Sequence, residues 1–313
     1  MYIILSLILG GILALGIGAE IIVRSSINLA NIYKVSGYFI GFTVVALGTS
    51  LPELAATIQA LKVVDSIQIA LGNIIGSNIA NILLILGVIS LIHPVLFSEK
   101  EGQKNQTVMV LLITIIAVVI FYLLTNFQNL NSSFFGIILI IIFILFLFFQ
   151  YKMELQDQTP ENFNPKYSQL FSYILLVIGL FFLYFGSKYF ILGSKELATY
   201  FNVSETIIGL TLVAFGTSLP ELATSAMAAF RKESAISIGN IVGSNIFNIL
   251  SVLGITSLIA PLDSPKEILN FELPVMVLFG LAIIVIAKLP QPIHRAYSAI
   301  LLLGYLLFIY LLF

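Results

Sequence analysis

The chain has 313 residues, of which 59% are hydrophobic and only 9% carry a formal charge, whereas soluble domains carry about 25% charged residues. A soluble fold of this size could not bury so much apolar surface, so lipid is the expected solvent for most of the chain. The net charge of −1 argues against a nucleic-acid partner. The sequence contains no cysteine, which excludes disulfides, a thiolate nucleophile and cysteine metal sites.

Ten apolar runs are long enough to cross a bilayer, which takes about 20 residues in a helix. The first run lacks a basic start, so a cleaved signal peptide is not expected. The longest polar stretch, residues 152–167, is a predicted linker at the midpoint of the chain. The sequence therefore predicts an all-α membrane protein with ten transmembrane helices, near residues 2–24, 38–62, 68–92, 106–125, 133–151, 168–192, 205–230, 235–260, 271–288 and 294–313.

Two blocks of sequence occur twice, in the same order. GFTVVALGTSLPELAAT at 41–57 and GLTLVAFGTSLPELATS at 209–225 are identical at 12 of 17 positions, with an offset of 168. GNIIGSNIANILLILGV at 72–88 and GNIVGSNIFNILSVLGI at 239–255 also match at 12 of 17, with an offset of 167. Each half holds five predicted spans, and an odd number inverts the second copy. The sequence thus predicts two inverted five-helix repeats, residues 1–151 and 168–313, a common plan of secondary transporters.

The orientation follows from lysine and arginine in the connections between spans. Ten of the 14 basic residues lie in the first, third, fifth, seventh and ninth connections, or at their margins. These connections are predicted to be cytoplasmic, including the linker at 152–167. We therefore expect a multi-pass protein of the cell membrane with both termini outside.

Glu53 and Glu221 lie in the middle of predicted spans, at equivalent positions of the two repeats. A carboxylate within a membrane costs several kcal/mol unless it faces a cavity, a partner or an ion. A single such residue could be a protonated donor in a helix–helix hydrogen bond. Two of them, each inside the same motif, instead favour a functional site.

The motif around each glutamate supplies further oxygen ligands. Pro52 has no N–H, so the Gly48 carbonyl loses its helical donor, and Pro220 has the same effect on Gly216. A proline kink with hydroxyls bonded to their own helix is the structural alternative. Carbonyl, hydroxyl and carboxylate oxygens suit Na⁺ or Ca²⁺ and suit soft metals poorly. Each motif places two hydroxyls near its glutamate: Thr49 and Ser50 in the first repeat, Thr217 and Ser218 in the second.

Spans 3 and 8 carry a second polar stripe, spaced by four residues on one helix face. It contains small residues as well, so close helix packing is an alternative explanation. That alternative is stronger for Asn73 and Asn240, which lie at the start of the stripe. The candidate ligands are the later members of the stripe: Ser77 and Asn81 in span 3, Ser244 and Asn248 in span 8.

The paired GTSLPE and GSNI-x-N motifs resemble the α-repeats of the sodium/calcium exchangers, within the calcium/cation antiporter superfamily. The resemblance covers essentially the whole chain, and the short linker is similar to that of prokaryotic members. The proton-coupled branch usually carries Gly-Asn-x-x-Glu at the corresponding helices. This chain lacks that pattern, so the resemblance implies coupling to sodium.

The resemblance also implies residue roles. Glu53 and Glu221 would form a central divalent site, joined by the carbonyls of Thr49 and Thr217. Asn81 matches the polar position after the first GSN motif. Flanking sodium sites would use the hydroxyls of Ser50, Ser77, Ser218 and Ser244 and the carbonyls of Ala46 and Ala214.

One departure from the family pattern concerns charge. Many members have an aspartate where this chain has Asn248, so two carboxylates remain in the centre rather than three. Two negative charges still balance one Ca²⁺. The loss of an anion should weaken the coordination or change the ion selectivity.

The expected function is exchange of Na⁺ for Ca²⁺ by alternating access, with spans 1 and 6, which lack site residues, sliding past the ligand core. Ca²⁺/H⁺ exchange at the same site and a cation channel are the alternatives. An enzyme is not expected, because the sequence has no Ser/His pair and no His-Glu-x-x-His motif. The two ions and the lipid bilayer are the expected partners, with no organic cofactor and no obligate protein partner.

Overall fold

The computed structural model describes residues 2–63, 66–94, 112–123, 131–156, 164–201, 214–262, 266, 268–288 and 295–312. These residues are helical apart from short turns and connections, and none of them forms a strand. Within these described ranges, six helices are long and apolar enough to cross a membrane. In chain order the helices are α1 (Tyr2–Tyr33), α2 (Gly37–Lys62), α3 (Ile67–Ile92), α4 (Leu112–Leu123), α5 (Ser132–Gln156), α6 (Gln169–Tyr200), α7 (Ala214–Thr217 and Leu219–Phe230), α8 (Ser234–Ile259), α9 (Leu273–Lys288) and α10 (Arg295–Leu311).

Burial separates central helices from peripheral ones. In the most apolar stretch of each helix, 89% of α8 and 78% of α3 is buried, against 22% for α1 and for α5. Helices that are apolar on all sides and still exposed are expected to face lipid. The stripe on α3 and α8 therefore lies at the centre of the molecule.

Three helices extend beyond their predicted bounds. One of them is α5, which continues to Gln156, five residues into the predicted linker. The prediction ends the first span near residue 24, but α1 continues to Tyr33, and Arg24 forms an ion pair with Glu20 one turn earlier. Such a pair at i, i+4 supports a helix. Likewise α6 reaches Tyr200 rather than residue 192. The prediction for residues 205–213 of the seventh span lies outside the described residues, as do the ends of the fourth.

α1 and α6 pack closely in opposite directions through glycines. A Cβ on Gly18 would lie 2.8 Å from the Gly179 carbonyl oxygen, and one on Gly186 would lie 3.0 Å from that of Gly11. The end of the linker is fixed to the same pair, because the Asn28 side chain accepts from the backbone N–H of Lys166 at 2.6 Å. α1 and α6 therefore form one unit beside the central helices.

α2 and α8 cross with their backbones in contact. A Cβ on Gly239 would lie 2.4 Å from the Tyr38 carbonyl oxygen, and one on Gly243 would lie 2.3 Å from that of Phe42. α2 has one π-helical turn at Gly41–Val45, and α8 has another at Phe247–Val252. The close approach of small residues thus joins the two sequence repeats at the centre of the molecule.

Gly243→Ala should lower the thermal stability of the protein. The added methyl group would collide with backbone, which cannot move aside without shifting α2, and overpacking typically costs about 1–3 kcal/mol. Thermal unfolding of detergent-purified protein measures the effect. Gly16→Ala is the matched control, because no heavy atom lies within 4 Å of its Cβ position. Equal melting temperatures for the two variants would contradict the proposed contact.

Candidate cation site

The helices α2 and α7 are interrupted at equivalent serines. Ser50 has φ −87° and ψ 1°, and Ser218 has φ −87° and ψ 4°. A new helix starts at the next residue in each case, with proline in its first turn, where the missing N–H costs no hydrogen bond. The two motifs therefore fold alike, as one broken helix in each repeat.

Each break places its glutamate in the first turn of the new helix. The N–H groups of a first turn have no helical acceptors, and the helix dipole there favours negative charge. Glu53 is 1% exposed and Glu221 is fully buried. Their carboxyl groups are close enough to interact with each other. The predicted central pair thus comes together, although 168 residues separate its members.

The second oxygen of each carboxyl group is left without a partner. Ser50 Oγ donates to Glu221 Oε1 at 3.1 Å. Glu53 Oε2 and Glu221 Oε2 are buried and have no hydrogen bond. Carboxylate oxygens that are buried and unpaired are costly, and a cation would remove that cost.

Asn73 and Asn240 connect the broken helices to α3 and α8. Asn73 Nδ2 donates to the Glu53 carbonyl oxygen at 3.1 Å and to Thr57 Oγ1 at 2.9 Å. The equivalent Asn240 Nδ2 reaches Ser225 Oγ at 2.9 Å. Each asparagine therefore holds the turn that carries the glutamate of its own repeat.

The same two asparagines also join the repeats to each other. Thr49 Oγ1 donates to Asn240 Oδ1 at 3.2 Å, and Thr217 Oγ1 donates to Asn73 Oδ1 at 3.1 Å. In each bond, the threonine of one repeat donates to the asparagine of the other repeat. These bonds tie α2 to α8 and α7 to α3, and so fix the distance between the two glutamates.

The later residues of the stripe form a second pair of contacts. Asn81 Nδ2 donates to Asn245 Oδ1 at 3.0 Å, and Asn248 Nδ2 donates to Ser77 Oγ at 3.1 Å. Both bonds use amide nitrogens, so Asn81 Oδ1 and Asn248 Oδ1 remain free and buried. The amides present acceptor oxygens without a donor, as a cation site requires.

Six of the predicted ligands have a buried side-chain oxygen without any hydrogen bond. Such orphaned acceptors are uncommon in folded proteins and call for an ion, a water or a functional reason. All six are hard oxygen donors, as Na⁺ and Ca²⁺ prefer. They are Glu53 Oε2, Glu221 Oε2, Asn81 Oδ1, Asn248 Oδ1, Ser218 Oγ and Ser244 Oγ.

The predicted carbonyl ligands lie in the last helical turn before each break. The Ala46 carbonyl accepts from the Ser50 N–H at 3.0 Å and from Thr49 Oγ1 at 3.4 Å. Thr49 and Thr217 end the helical turns just before the breaks. Ala214 begins the described part of α7.

Span 6, predicted to lack site residues, supplies no predicted ligand but contacts the broken helix α7. Ser187 of α6 donates to the Gly216 carbonyl at 2.7 Å, and this is the carbonyl that Pro220 deprives of its helical donor. The equivalent position in α1 is Ala19, which has no hydroxyl. One freed carbonyl is therefore satisfied by α6.

Sequence reasoning missed the residues that position the glutamates. It treated Asn73 and Asn240 mainly as packing residues, and it did not select Thr57, Ser225 or Ser187. The sequence did contain a signal for Asn73 and Asn240, because these residues begin the polar stripe whose later members were selected as ligands. Their contacts across the repeats could not be read from spacing along one helix.

The chain is similar to known membrane transporters over almost its whole length. The model of the sodium/calcium exchanger protein family matches residues 3–152 and 171–313. Sodium/calcium exchanger MaX1 of Methanosarcina acetivorans is 31% identical, with 98% of this chain and 97% of that protein covered. The uncharacterized membrane protein MJ0091 of Methanocaldococcus jannaschii is 36% identical, with 89% and 88% covered.

A solved structure has the same fold. The sodium-calcium exchanger NCX_Mj, soaked without Na⁺ and Ca²⁺, superposes with a TM-score of 0.84 at 33% identity, covering 98% of each chain. That work describes extracellular ion exchange and occlusion of a binding site in NCX_Mj.

Proposed function

We propose that this chain, which belongs to the sodium/calcium exchanger family, exchanges Na⁺ for Ca²⁺ across a membrane by alternating access at the site between α2, α3, α7 and α8. The observation that carries the assignment is the set of six buried, unpartnered oxygens at this site. Ca²⁺ takes six to eight oxygen ligands, and the two glutamates would supply some of them, with neighbouring oxygens of this set, carbonyls or waters as the others.

The charge of the central pair explains how the two ion fluxes are coupled. Glu53 and Glu221 carry two negative charges when ionised, which one Ca²⁺ balances, as do two or more Na⁺ ions. Without a cation, two ionised carboxylates at this depth repel each other strongly. The empty carrier therefore changes conformation reluctantly, and Na⁺ and Ca²⁺ compete for the same ligands.

Within this proposal, ten helices cross the membrane as two inverted repeats, residues 1–151 and 168–313, joined by a cytoplasmic linker at 152–167. Both termini lie on the extracellular side of the cell membrane. The hydrogen bonds that recur with the repeats exchanged support the internal symmetry. The antiparallel α1 and α6, packed through glycines, are suited to move as one unit past the other helices.

Uptake of ⁴⁵Ca²⁺ into proteoliposomes loaded with Na⁺ tests the function. We expect uptake that requires internal Na⁺ and is absent from K⁺-loaded vesicles. Uptake that follows a pH gradient instead would assign Ca²⁺/H⁺ exchange to the same carboxylates. Single-channel currents would contradict a carrier altogether.

Asn248→Asp should raise the apparent affinity for Ca²⁺. The aspartate would put a third negative charge beside the unpartnered oxygens, and even a heavily screened interaction of about 1.4 kcal/mol gives a tenfold change. The half-saturating Ca²⁺ concentration for uptake measures the effect, at alkaline pH to keep the new carboxyl group ionised.

Asn131→Asp is the matched control for the added charge. Asn131 is exposed and caps α5 by accepting from the Phe134 N–H at 3.1 Å, a position where aspartate serves equally well. An unchanged Ca²⁺ affinity in Asn248→Asp would remove Asn248 from the ligand set.

A further inference from the structure

A cavity lies beside the candidate site. Its volume is about 270 Å³, and α2, α6 and α7 line it. It reaches from Gln59 and Lys188 to Gly216 and Thr217 at the break in α7, and it includes Pro52, the neighbour of Glu53. The α2 residues lining it follow the break, toward Lys62. In the proposed orientation this cavity is the extracellular approach to the site.

Among the described residues that line this cavity, Lys188 is the one that carries a charge. Its side chain is exposed, and within the part of the chain that the structure describes it forms no ion pair. None of the described lining residues is a carboxylate that could neutralise it. The positive charge of Lys188 therefore lies in the cavity through which cations would reach the site.

The equivalent position in the first repeat has the opposite charge and a different setting. Glu20 of α1 forms ion pairs with Arg24 and with Arg231 at the end of α7. The contact with Arg231 holds α1 against α7 at the other end of the molecule. The two repeats thus differ at this position: Glu20 joins α1 to α7 through an ion pair, whereas Lys188 lines a cavity and has no ion pair among the described residues.

We propose that Lys188 determines the selectivity of ion access from outside, disfavouring Ca²⁺ relative to Na⁺; this inference rests on the proposed function. The energy of an ion in the potential of Lys188 is proportional to the ion's charge, so Ca²⁺ is penalised twice as much as Na⁺. The distances within a cavity of this size are comparable with the Debye length of about 10 Å at 0.1 M salt.

The consequence concerns how readily each ion binds to the site from outside. Ca²⁺ delivered to the outer cavity is repelled by Lys188 and rebinds poorly, whereas Na⁺ enters with a smaller penalty. The charge does not alter the driving force, which the ion gradients set. It raises the half-saturating external concentration of Ca²⁺ by the square of the factor by which it raises that of Na⁺.

Lys188→Gln tests the proposal through the ratio of two effects. The half-saturating external concentrations are measured in spheroplasts, whose membrane keeps one orientation: Ca²⁺ from uptake, and Na⁺ from Na⁺-driven ⁴⁵Ca²⁺ efflux. We expect a decrease of about threefold for Na⁺ and about tenfold for Ca²⁺. The logarithm of the change for Ca²⁺ should be twice that for Na⁺, and both should shrink at high ionic strength.

Three further variants make the result specific. Lys188→Arg keeps the charge and should match the wild type, and Lys188→Glu should double both logarithmic changes. Lys195→Gln removes the same charge from an exposed residue of α6 that does not line the cavity, and should change neither concentration. Equal changes for both ions, or no change in Lys188→Gln, would overturn the proposal.

A measurement without transport separates this inference from the proposed function. Ions that bind the folded protein raise its melting temperature, so the Na⁺ and Ca²⁺ concentrations at half-maximal stabilisation can be compared in detergent. The same two-to-one ratio in Lys188→Gln supports the role of Lys188 even if no Na⁺-dependent Ca²⁺ flux is found. Stabilisation midpoints that do not move would overturn it even if the exchange is present.

Discussion

Replacing Glu53 or Glu221 by glutamine should reduce Na⁺-dependent Ca²⁺ uptake at least about 100-fold. Glutamine keeps the shape of the side chain and one acceptor oxygen but removes the negative charge. Loss of one partner from a buried, paired set of charges costs about 3–5 kcal/mol, which exceeds the roughly 2.7 kcal/mol that a 100-fold change represents.

The same variants should lose stabilisation by Ca²⁺ without losing the fold. In wild-type protein, bound Ca²⁺ raises the melting temperature according to its affinity. In Glu53→Gln and Glu221→Gln that shift should disappear, while the melting temperature without Ca²⁺ stays the same or rises, since two carboxyl groups no longer face each other. A variant that fails to fold would show a lower value in both conditions.

Glu196→Gln is the control for loss of a carboxylate. Glu196 is exposed on α6 and has no part in the site, so its uptake should equal that of the wild type. Uptake above a tenth of the wild-type rate in either Glu53→Gln or Glu221→Gln would remove that glutamate from the central site.

The sequence was sufficient to predict the glutamate pair because the relevant signals are local. A charge in an apolar run, a proline four residues after a glycine and an exact repeat of a motif can all be identified from the sequence alone. The repeat also predicts that both copies adopt one structure, and Ser50 and Ser218 do have nearly the same φ and ψ.

The contacts that position the glutamates could not be predicted in the same way. Thr49 and Asn240 are 191 residues apart, and their hydrogen bond depends on how closely α2 crosses α8. That distance is set by Gly239 and Gly243 against the backbone of α2. A helical wheel indicates which face is polar, but it does not indicate which helix that face meets.

The functional differences between the two repeats could not be predicted from the sequence either. Ser187 and Ala19 are equivalent in sequence, yet Ser187 satisfies the carbonyl of Gly216. Likewise, Glu20 and Lys188 resemble two ordinary interfacial charges until the ion pairs of one and the cavity beside the other are seen. The sequence repeats therefore predict the features that the two halves share, and they do not predict differences such as those at Ser187 and Lys188.

Asn240→Ala should lower the rate of exchange about 10- to 100-fold, although Asn240 is not a predicted ligand. Its side chain is fully buried, donates to Ser225 Oγ and accepts from Thr49 Oγ1. Its loss removes the donor to Ser225 Oγ and leaves the Thr49 hydroxyl with the long bond to the Ala46 carbonyl at 3.4 Å, and an unsatisfied buried polar group costs about 1–3 kcal/mol. It also releases the turn that carries Glu221 from α8, so the two carboxylates no longer keep their separation.

Thr256→Ala is the control for loss of a buried polar side chain, because Thr256 is 1% exposed and donates to the Val252 carbonyl of its own helix. Its loss should change transport far less. A double-mutant cycle with Thr49→Val isolates the contact across the repeats, and we expect a coupling energy of about 1 kcal/mol in stability. Additive effects would mean that Asn240 acts through Ser225 alone, and that the link between the repeats does not hold the glutamates in place.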